Sequence, residues 1–207
     1  MENLKMPHGE NTCITSELKH NEKTFKLLSK VQYNTFCMTQ KLAGYVFAAV
    51  LIYFGAMGGF STVTSIVLIF LGCWAAVSGN VPHEWKAERL IKMVKGKFPH
   101  TKYEFNCDQI VLKSPKETWS LKYSEILAII EDSDYFYLFI NRKAGYMVSK
   151  EALDPGYIDE FRKIIAKRAD LKVEKPGSLL RVSLPAIWKR QVREYKLKNA
   201  RKGKLKK

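Results

Sequence analysis

The most conspicuous pattern along the chain is one uninterrupted apolar stretch. Leu42 to Asn80 is 39 residues without a charged side chain. A membrane-spanning helix needs about 20 apolar residues, so this stretch has room for two. The adjacent glycines Gly58-Gly59 mark a break near its middle. The pattern therefore predicts two spanning helices, roughly Phe36–Met57 and Phe60–Ser78, joined by a tight turn.

Positive charges lie on both sides of this stretch, whereas the turn between its halves has none. The flanking cations are Lys26, Lys30 and Lys41 before it, and Lys86, Arg89, Lys92, Lys95 and Lys97 after it. Because cytoplasmic flanks carry the excess of Lys and Arg, we expect a multi-pass protein of the plasma membrane with both termini in the cytoplasm. The polar residues 1–30 predict no signal peptide. Two other interpretations are a buried helical pair in a soluble core and one long tilted span.

After the apolar stretch the period of the pattern changes. Pro82–Phe98 has helical spacing and ends at Gly96 and Pro99, which predicts a helix that leaves the membrane. From Thr101 several segments alternate between apolar and polar residues, Ile126–Ile130 is an apolar run and Tyr135–Ile140 is aromatic and β-branched, and short turns separate the segments. The predicted strands are Lys102–Cys107, Ile110–Ser114, Thr118–Tyr123, Ile126–Ile130, Tyr135–Ile140 and Gly145–Ser149. Six short strands with short connections predict an antiparallel meander.

A single amphipathic helix is predicted to close this domain. Asp154-Pro155 supplies an N-cap and a first-turn proline. An apolar stripe follows, formed by Tyr157, Ile158, Phe161, Ile164 and Ile165. The fold class is therefore α+β, with a transmembrane two-helix hairpin followed by an antiparallel sheet and a C-terminal helix.

Several of these segments together resemble the YcxB-like family of bacterial membrane proteins. The resemblance is carried by Trp119–Ile126, Glu131–Ile140, Gly145–Lys150 and Phe161. It covers about residues 98–168 and extends to about residue 36 through the hairpin layout. The family is similar in organisation to pleckstrin-homology-like (PH-like) membrane proteins, which implies a strongly bent sheet capped by the helix. No catalytic residue set and no cofactor come with the resemblance, and the family core does not need the extension past residue 170.

These patterns divide the chain into five predicted parts. They are a cytosolic N-terminal segment (1–35), the transmembrane hairpin (36–80), a juxtamembrane helix (81–99), the YcxB-like soluble domain (100–170) and a basic C-terminal extension (171–207).

Most of the chain's charge lies in that extension. The formal net charge is +15, and residues 181–207 carry 11 basic residues and one acid. A helix is predicted from Leu184-Pro185 onward, and the run from Arg201 to the end has too little apolar content to pack, so we expect it to be disordered. The candidate contacts to a membrane surface or to phosphate are Trp188, Lys189, Arg190, Arg193, Lys196, Lys198, Arg201 and Lys202.

Several interpretations of the extension remain open at this point. It is a solvated tail that only sets topology, a segment attracted to the anionic inner leaflet, a nucleic-acid-binding tail, or a contact for a protein partner. Each Lys or Arg near an anionic surface contributes about 1 kcal/mol. Phosphate contacts also suit a basic patch with aromatic residues, but the sequence has no RNA-recognition or helix-turn-helix pattern.

Signs of catalysis or metal binding are few. The chain has no GxSxG, Walker, HExxH or GxGxxG motif. Its four cysteines and four histidines are scattered, which argues against a disulfide framework and a metal site. The acidic run Glu131–Asp134 lacks the spacing of a calcium loop and reads as a solvated turn.

We therefore expect an integral membrane protein that presents a non-catalytic interaction or regulatory module, with the bilayer and an unidentified protein as partners. The alternatives are a membrane-tethered nucleic-acid-binding protein and an enzyme with an unrecognised site.

Overall fold

The computed structural model describes residues 14–78, 82–115, 117–153, 155–177 and 183–204. It is an α+β protein. Its helices are α1 Glu22–Phe36, α2 Met38–Met57, α3 Thr62–Ser78, α4 Pro82–Val94, α5 Ile158–Ala169 and α6 Leu184–Lys204. Its strands are β1 Ile14–Lys19, β2 His100–Phe105, β3 Gln109–Lys113, β4 Thr118–Lys122, β5 Ala128–Glu131, β6 Tyr135–Phe139, β7 Gly145–Ser149 and β8 Val173–Glu174.

The chain forms two compact units. One, here called the α+β unit, comprises residues 1–21, 97–176 and 183–207. The other, the helical unit, comprises residues 22–96 and 177–182. The helical unit is therefore almost entirely an insertion between β1 and β2.

Two four-stranded sheets make up the α+β unit. One has the order β1-β2-β3-β4 and the other β7-β6-β5-β8. The six predicted strands are all present. Alternating strands with one buried face and short apolar runs buried on both faces are both recognisable from local sequence. The expected single bent sheet is instead two sheets, since a 3-10 turn at Tyr123–Glu125 separates β4 from β5. The β5–β8 pair is parallel, so the arrangement is mainly rather than wholly antiparallel.

An N-terminal strand that the sequence did not reveal completes the first sheet. β1 pairs antiparallel with β2, from Ile14 opposite Phe105 to Lys19 opposite His100. At the end of this ladder the His20 amide donates to the Pro99 carbonyl at 3.0 Å. The two points where the helical unit leaves and rejoins the sheet are therefore adjacent.

The core of the α+β unit is aromatic, and α5 closes it. The Phe161 ring packs edge-on against one ring from each sheet. Its centroid lies 4.8 Å from the centroid of Phe105 in one sheet and 5.1 Å from that of Phe136 in the other. The α-helix begins at Ile158 with Tyr157 as N-cap, after a 3-10 turn. The predicted N-cap, Asp154, lies outside the described residues. The helix therefore starts later than predicted, because the chain first makes this tighter turn.

In the helical unit, α2 and α3 pack closely against each other. Gly72 lies against α2, where an added Cβ would be 2.6 Å from Ile52 Cγ1 and 2.9 Å from the Ala48 carbonyl oxygen. Gly55 makes the corresponding approach to α3, and small residues of this kind let helix backbones come close. Between the helices Gly59 adopts φ +63°, which suits glycine. The boundaries of α2 and α3 are thus within two residues of the two helices predicted from the apolar stretch.

Within the described chain, α2 alone is long and apolar enough to cross a membrane by itself. The 17-residue α3 meets the same requirement only when taken together with α4. A core helix of a soluble protein has the same length and composition, but most of such a helix is buried. Only 11% of the apolar window of α2 is buried inside the protein. Most of the apolar surface of α2 is therefore exposed in the described part of the chain.

The amphipathic helices α1 and α4 pack against each other at the base of this pair. Lys86 of α4 donates a hydrogen bond to the Gln32 side chain of α1. The buried residues of α1 are mostly polar, namely Thr24, Ser29, Val31, Gln32 and Thr35. α1 escaped prediction for that reason, since its buried face has almost no apolar signal. α4 ends at Val94, four residues before the predicted Phe98, because Lys95 and Gly96 adopt φ of +48° and +74° and turn the chain.

Candidate functional site

The basic extension folds as α6 and docks on the α+β unit through Arg193. The guanidinium donates from Nε to the Ile126 carbonyl at 3.0 Å, from Nη2 to the Ala169 carbonyl at 2.8 Å and from Nη1 to the Asp170 carbonyl at 3.3 Å. Ala169 and Asp170 end α5, where the last carbonyls have no partner within the helix. Burial lowers the pKa of Arg193, although Asp170 opposes this effect. Arg193 therefore caps α5 rather than facing solvent.

A buried carboxylate forms the second docking contact. Glu194 is 7% exposed, and it accepts from Arg142 Nε at 2.6 Å and from Lys198 Nζ at 2.9 Å. Burial raises the pKa of Glu194, but the hydrogen bonds from Lys198 and Arg142 outweigh burial, so that the pKa lies below its ordinary value. Arg190 Nη2 lies 3.2 Å from Oε2 of Glu174 in β8. Glu194 and Arg190 thus hold one face of α6 against the rest of the α+β unit.

The opposite face of α6 is exposed and carries aromatic and cationic side chains. Trp188 and Tyr195 are each 68% exposed, and Val192, between them at helical spacing, is 37% exposed. Lys189 and Lys196 flank this stripe and are also exposed. These five residues are here called the α6 outward face. The one acid of residues 183–204 is Glu194, so the outward face contains no negative charge.

The eight residues predicted as surface contacts are therefore divided by the fold. Trp188, Lys189 and Lys196 lie on the outward face. Arg190 and Arg193 are half-buried against the α+β unit, and Lys198 pairs with Glu194. The remaining two, Arg201 and Lys202, lie in the last turn of α6, and their side chains are outside the described part.

The predicted disorder from Arg201 onward is wrong as far as Lys204, which still belongs to α6. Lys, Arg and Ala are good helix formers, and adding residues to an existing helix is far easier than nucleating one. Residues 205–207 lie outside the described residues.

A second polar cluster surrounds Glu131. Its Oε1 accepts from Lys150 Nζ at 2.6 Å and from Arg162 Nη2 at 2.7 Å, and its Oε2 accepts from Arg162 Nε at 2.6 Å. The Arg162 hydrogen bonds are the main cause of the lowered pKa of Glu131, with Lys150 contributing and burial opposing. Sequence reasoning missed this cluster, because Lys150 and Arg162 are distant in the chain. Both basic partners of Glu131 make a second contact as well, since Lys150 also donates to the Asp132 carbonyl at 2.6 Å and Arg162 also pairs with Asp159.

The rest of the acidic run is also structural. Asp132 Oδ1 accepts from the backbone amides of Asp134 and Tyr135 at 2.9 and 2.7 Å, and the Tyr137 hydroxyl donates to Asp132 Oδ2 at 2.5 Å. Among the residues described, no group of three or more His, Cys, Asp or Glu side chains could hold a metal ion. The cluster closes a turn and anchors β5, β7 and α5 to one another.

Comparisons with known proteins agree with the resemblance seen in the sequence. Residues 105–165 match the family model of YcxB-like protein. This segment runs from the end of β2 through most of α5, so it contains the aromatic core and the Glu131 cluster. Comparison with curated protein sequences gives no match, and comparison with solved structures gives none either.

Proposed function

Because residues 105–165 are YcxB-like, we propose that the chain is an integral protein of the bacterial plasma membrane that presents its α+β unit in the cytoplasm as a non-catalytic interaction or regulatory module. In this proposal α2 and α3 cross the bilayer as a hairpin. The partner of the module is a protein, and the bilayer is the second partner.

The exposed apolar surface of α2 and α3 supports insertion. Large side chains are exposed on both helices, among them Phe47, Tyr53, Met57, Val63 and Phe70. Large exposed apolar patches are rare on soluble monomers and mark a protein or membrane interface. Both helices are apolar all round, which is typical of a bilayer span when the surface is not covered by protein.

The β1–β2 ladder is the single observation that carries the proposed topology. Lys19 and His100 are paired neighbours, so the segment between them starts and ends at the same place. A chain that leaves and returns to one sheet must cross the bilayer an even number of times. One long tilted span is incompatible with this pairing, whereas a hairpin satisfies it. Lys26, Lys30, Lys86 and Arg89 on the flanks favour the cytoplasmic side for the sheet.

A PH-like organisation of the α+β unit belongs to the same proposal. It is supported by the two sheets and by α5, whose Phe161 contacts Phe105 in one sheet and Phe136 in the other. A bent sheet system closed by a helix leaves loops and strand edges free to bind. The polar groups of the Glu131 cluster are engaged with one another, which favours binding over catalysis for this region.

The proposal is tested by labelling single cysteines with a membrane-impermeant maleimide in a variant from which Cys13, Cys37, Cys73 and Cys107 have been removed. Ser61→Cys places the probe in the turn between α2 and α3. Glu117→Cys places it at an exposed site before β4. We expect Ser61→Cys to react only from outside the cell and Glu117→Cys only after the inner face is opened.

Reaction of both cysteines from one side contradicts the crossing hairpin. Extraction of the chain from membranes at alkaline pH contradicts integral insertion. The two failures are distinct, because a hairpin that enters and leaves the bilayer without crossing it would still resist extraction.

A further inference from the structure

The docking of α6 gives its exposed residues a defined direction. Arg193 and Glu194 attach one side of the helix to the α+β unit through contacts at 2.6 to 3.3 Å. Trp188, Val192 and Tyr195 then lie together on the other side at spacings of four and three residues. The outward face is thus presented by a folded helix and does not have to be organised on binding.

We propose that the α6 outward face binds the anionic lipid surface of the membrane into which the hairpin inserts. This inference rests on the proposed function, because the hairpin is what keeps α6 close to a bilayer. It goes further by assigning the contact to Trp188, Lys189, Val192, Tyr195 and Lys196, and by separating them from the docking cations Arg190 and Arg193.

The composition of the face fits a lipid headgroup region. Trp and Tyr combine an apolar ring with a polar group and are enriched at membrane interfaces. Lys189 and Lys196 lie on the same side as the rings, and no acid lies among them, so the face is complementary to anionic lipid. Amphipathic helices of this kind lie in the interface plane with the apolar residues buried at the headgroup boundary.

Nucleic acid is the competing anionic partner, and the side chains favour lipid. Of the α6 arginines, Arg190 and Arg193 have described side chains. Both point into the protein and contact Glu174 and three backbone carbonyls, so they are not available for bidentate phosphate contacts. The α6 outward face instead combines two lysines with two rings and a valine. That set suits a surface with both charge and an apolar layer.

The test uses the full chain in lipid nanodiscs, with an environment-sensitive fluorophore on Asn199→Cys in the cysteine-free variant. Asn199 is exposed and continues the Trp188–Val192–Tyr195 stripe by one turn. In phosphatidylcholine with phosphatidylglycerol we expect a blue-shifted emission that added salt reverses. In phosphatidylcholine alone we expect a smaller shift.

The double variant Lys189→Gln/Lys196→Gln should reduce the ratio of membrane-bound to free α6, by about fivefold for each lysine. Lys163→Gln/Lys167→Gln is the matched control, since it removes two exposed lysines from α5 in the same unit. It should leave the shift in place. Trp188→Ala should reduce the shift in both lipids, because the ring contributes without regard to lipid charge.

Three outcomes would overturn the inference. One is a label that does not respond to anionic lipid although the chain remains in the nanodisc, which leaves the hairpin intact and rejects the α6 contact. Another is an equal loss of the fluorescence shift in the α5 control variant, which would show that the net charge of the protein, and not the α6 outward face, causes the shift. The third is a label that shifts with an added RNA oligonucleotide but not with anionic lipid, which replaces lipid by nucleic acid. A chain that fails to enter nanodiscs at all rejects the proposed function itself.

Discussion

The hairpin helices and the α+β unit place similar aromatic side chains in opposite environments. In the α+β unit Phe161 is 1% exposed and contacts rings from both sheets. In α3 Phe70 is 64% exposed. The α+β unit thus buries its apolar residues against one another, whereas the hairpin leaves most of them outward. The difference is the one expected if water surrounds the first region and, as proposed, lipid surrounds the second.

This contrast also shows how the chain is assembled. The aromatic core of the α+β unit is formed by its own residues, and β1 belongs to that unit although it precedes the helical unit in the sequence. The helical unit is thus inserted between the two paired strands β1 and β2. We expect the two regions to be separable if, and only if, β1 is kept.

The largest effect is expected when the insertion is removed. Residues 21–98 are replaced by Asn-Gly, which favours the two-residue turns of β-hairpins, so that His20 connects through the turn to Pro99. Because the His20 amide already donates to the Pro99 carbonyl, the ladder needs no rearrangement. We expect a protein that is soluble without detergent, monodisperse by size-exclusion chromatography, and cooperative in thermal unfolding.

A chain that begins at residue 97 and lacks β1 is the matched control. It leaves the edge of β2 unpaired and removes the side chain of Leu18, which is buried in the core. We expect it to be markedly less stable or to aggregate, since open strand edges recruit other chains. Equal behaviour of the two chains would show that β1 is dispensable, and the topological argument for the hairpin would lose its basis.

The second largest effect is expected when a phenylalanine is replaced by alanine in the α+β unit, compared with the same replacement in α3. Phe161→Ala removes a ring enclosed by Phe105 and Phe136, and such truncations cost about 3–5 kcal/mol of unfolding free energy. Phe70→Ala removes a ring that contacts little protein, so we expect the unfolding of the α+β unit to be unchanged. Denaturant titration of the full chain in detergent, followed by the near-ultraviolet circular dichroism of the aromatic core, measures both. Similar losses for the two variants would contradict the separation of the regions.

Much of this contrast is present in the sequence, and the exceptions have physical reasons. β2, β3 and β4 were predictable because alternation matches one buried face, and β5 and β6 because they are short apolar runs buried on both faces. β1 was not, because the side chains that it buries are Ser16 and Leu18, and its partner β2 lies about 80 residues further on. A strand whose stability comes from a distant partner carries little local signal.

The candidate site was predictable in position but not in orientation. The helical start at Leu184 and the cluster of cations followed from the sequence. The division into docking and outward residues did not, because Arg193 binds three backbone carbonyls, and backbone groups leave no trace in residue types. The same holds for Glu131, whose partners Lys150 and Arg162 become neighbours only through the sheet and α5.

An intermediate effect is expected inside the hairpin. Gly72→Ala introduces a Cβ that would lie 2.6 Å from Ile52 Cγ1, so α2 and α3 must separate. Overpacking of this kind costs about 1–3 kcal/mol. Gly44→Ala is the control, because nothing lies within 4 Å of its added Cβ. We expect the midpoint of thermal inactivation in detergent to fall for Gly72→Ala alone, and a fall of the same size in both variants would contradict close packing at Gly72.

The smallest effect concerns the Glu131 cluster, which belongs only to the α+β unit. The pKa of Glu131 is lowered in the folded state, chiefly by Arg162, from an ordinary value of 4.5. A carboxyl with a lowered pKa stabilises the fold above its ordinary value, and this contribution is lost as the pH falls through the folded pKa. Glu131→Gln should therefore destabilise at neutral pH by about 1 kcal/mol, the scale of a hydrogen bond.

The difference between wild type and Glu131→Gln should shrink below about pH 4.5, where protonation removes the charge from the wild type as well. Urea titrations of the full chain in detergent at neutral and acidic pH measure it. Glu104→Gln is the control, since Glu104 pairs with Lys113 at the surface and such pairs contribute a few tenths of a kcal/mol. A difference for Glu131→Gln that persists unchanged at acidic pH would mean that packing, and not the charge held by Arg162 and Lys150, stabilises this part of the unit.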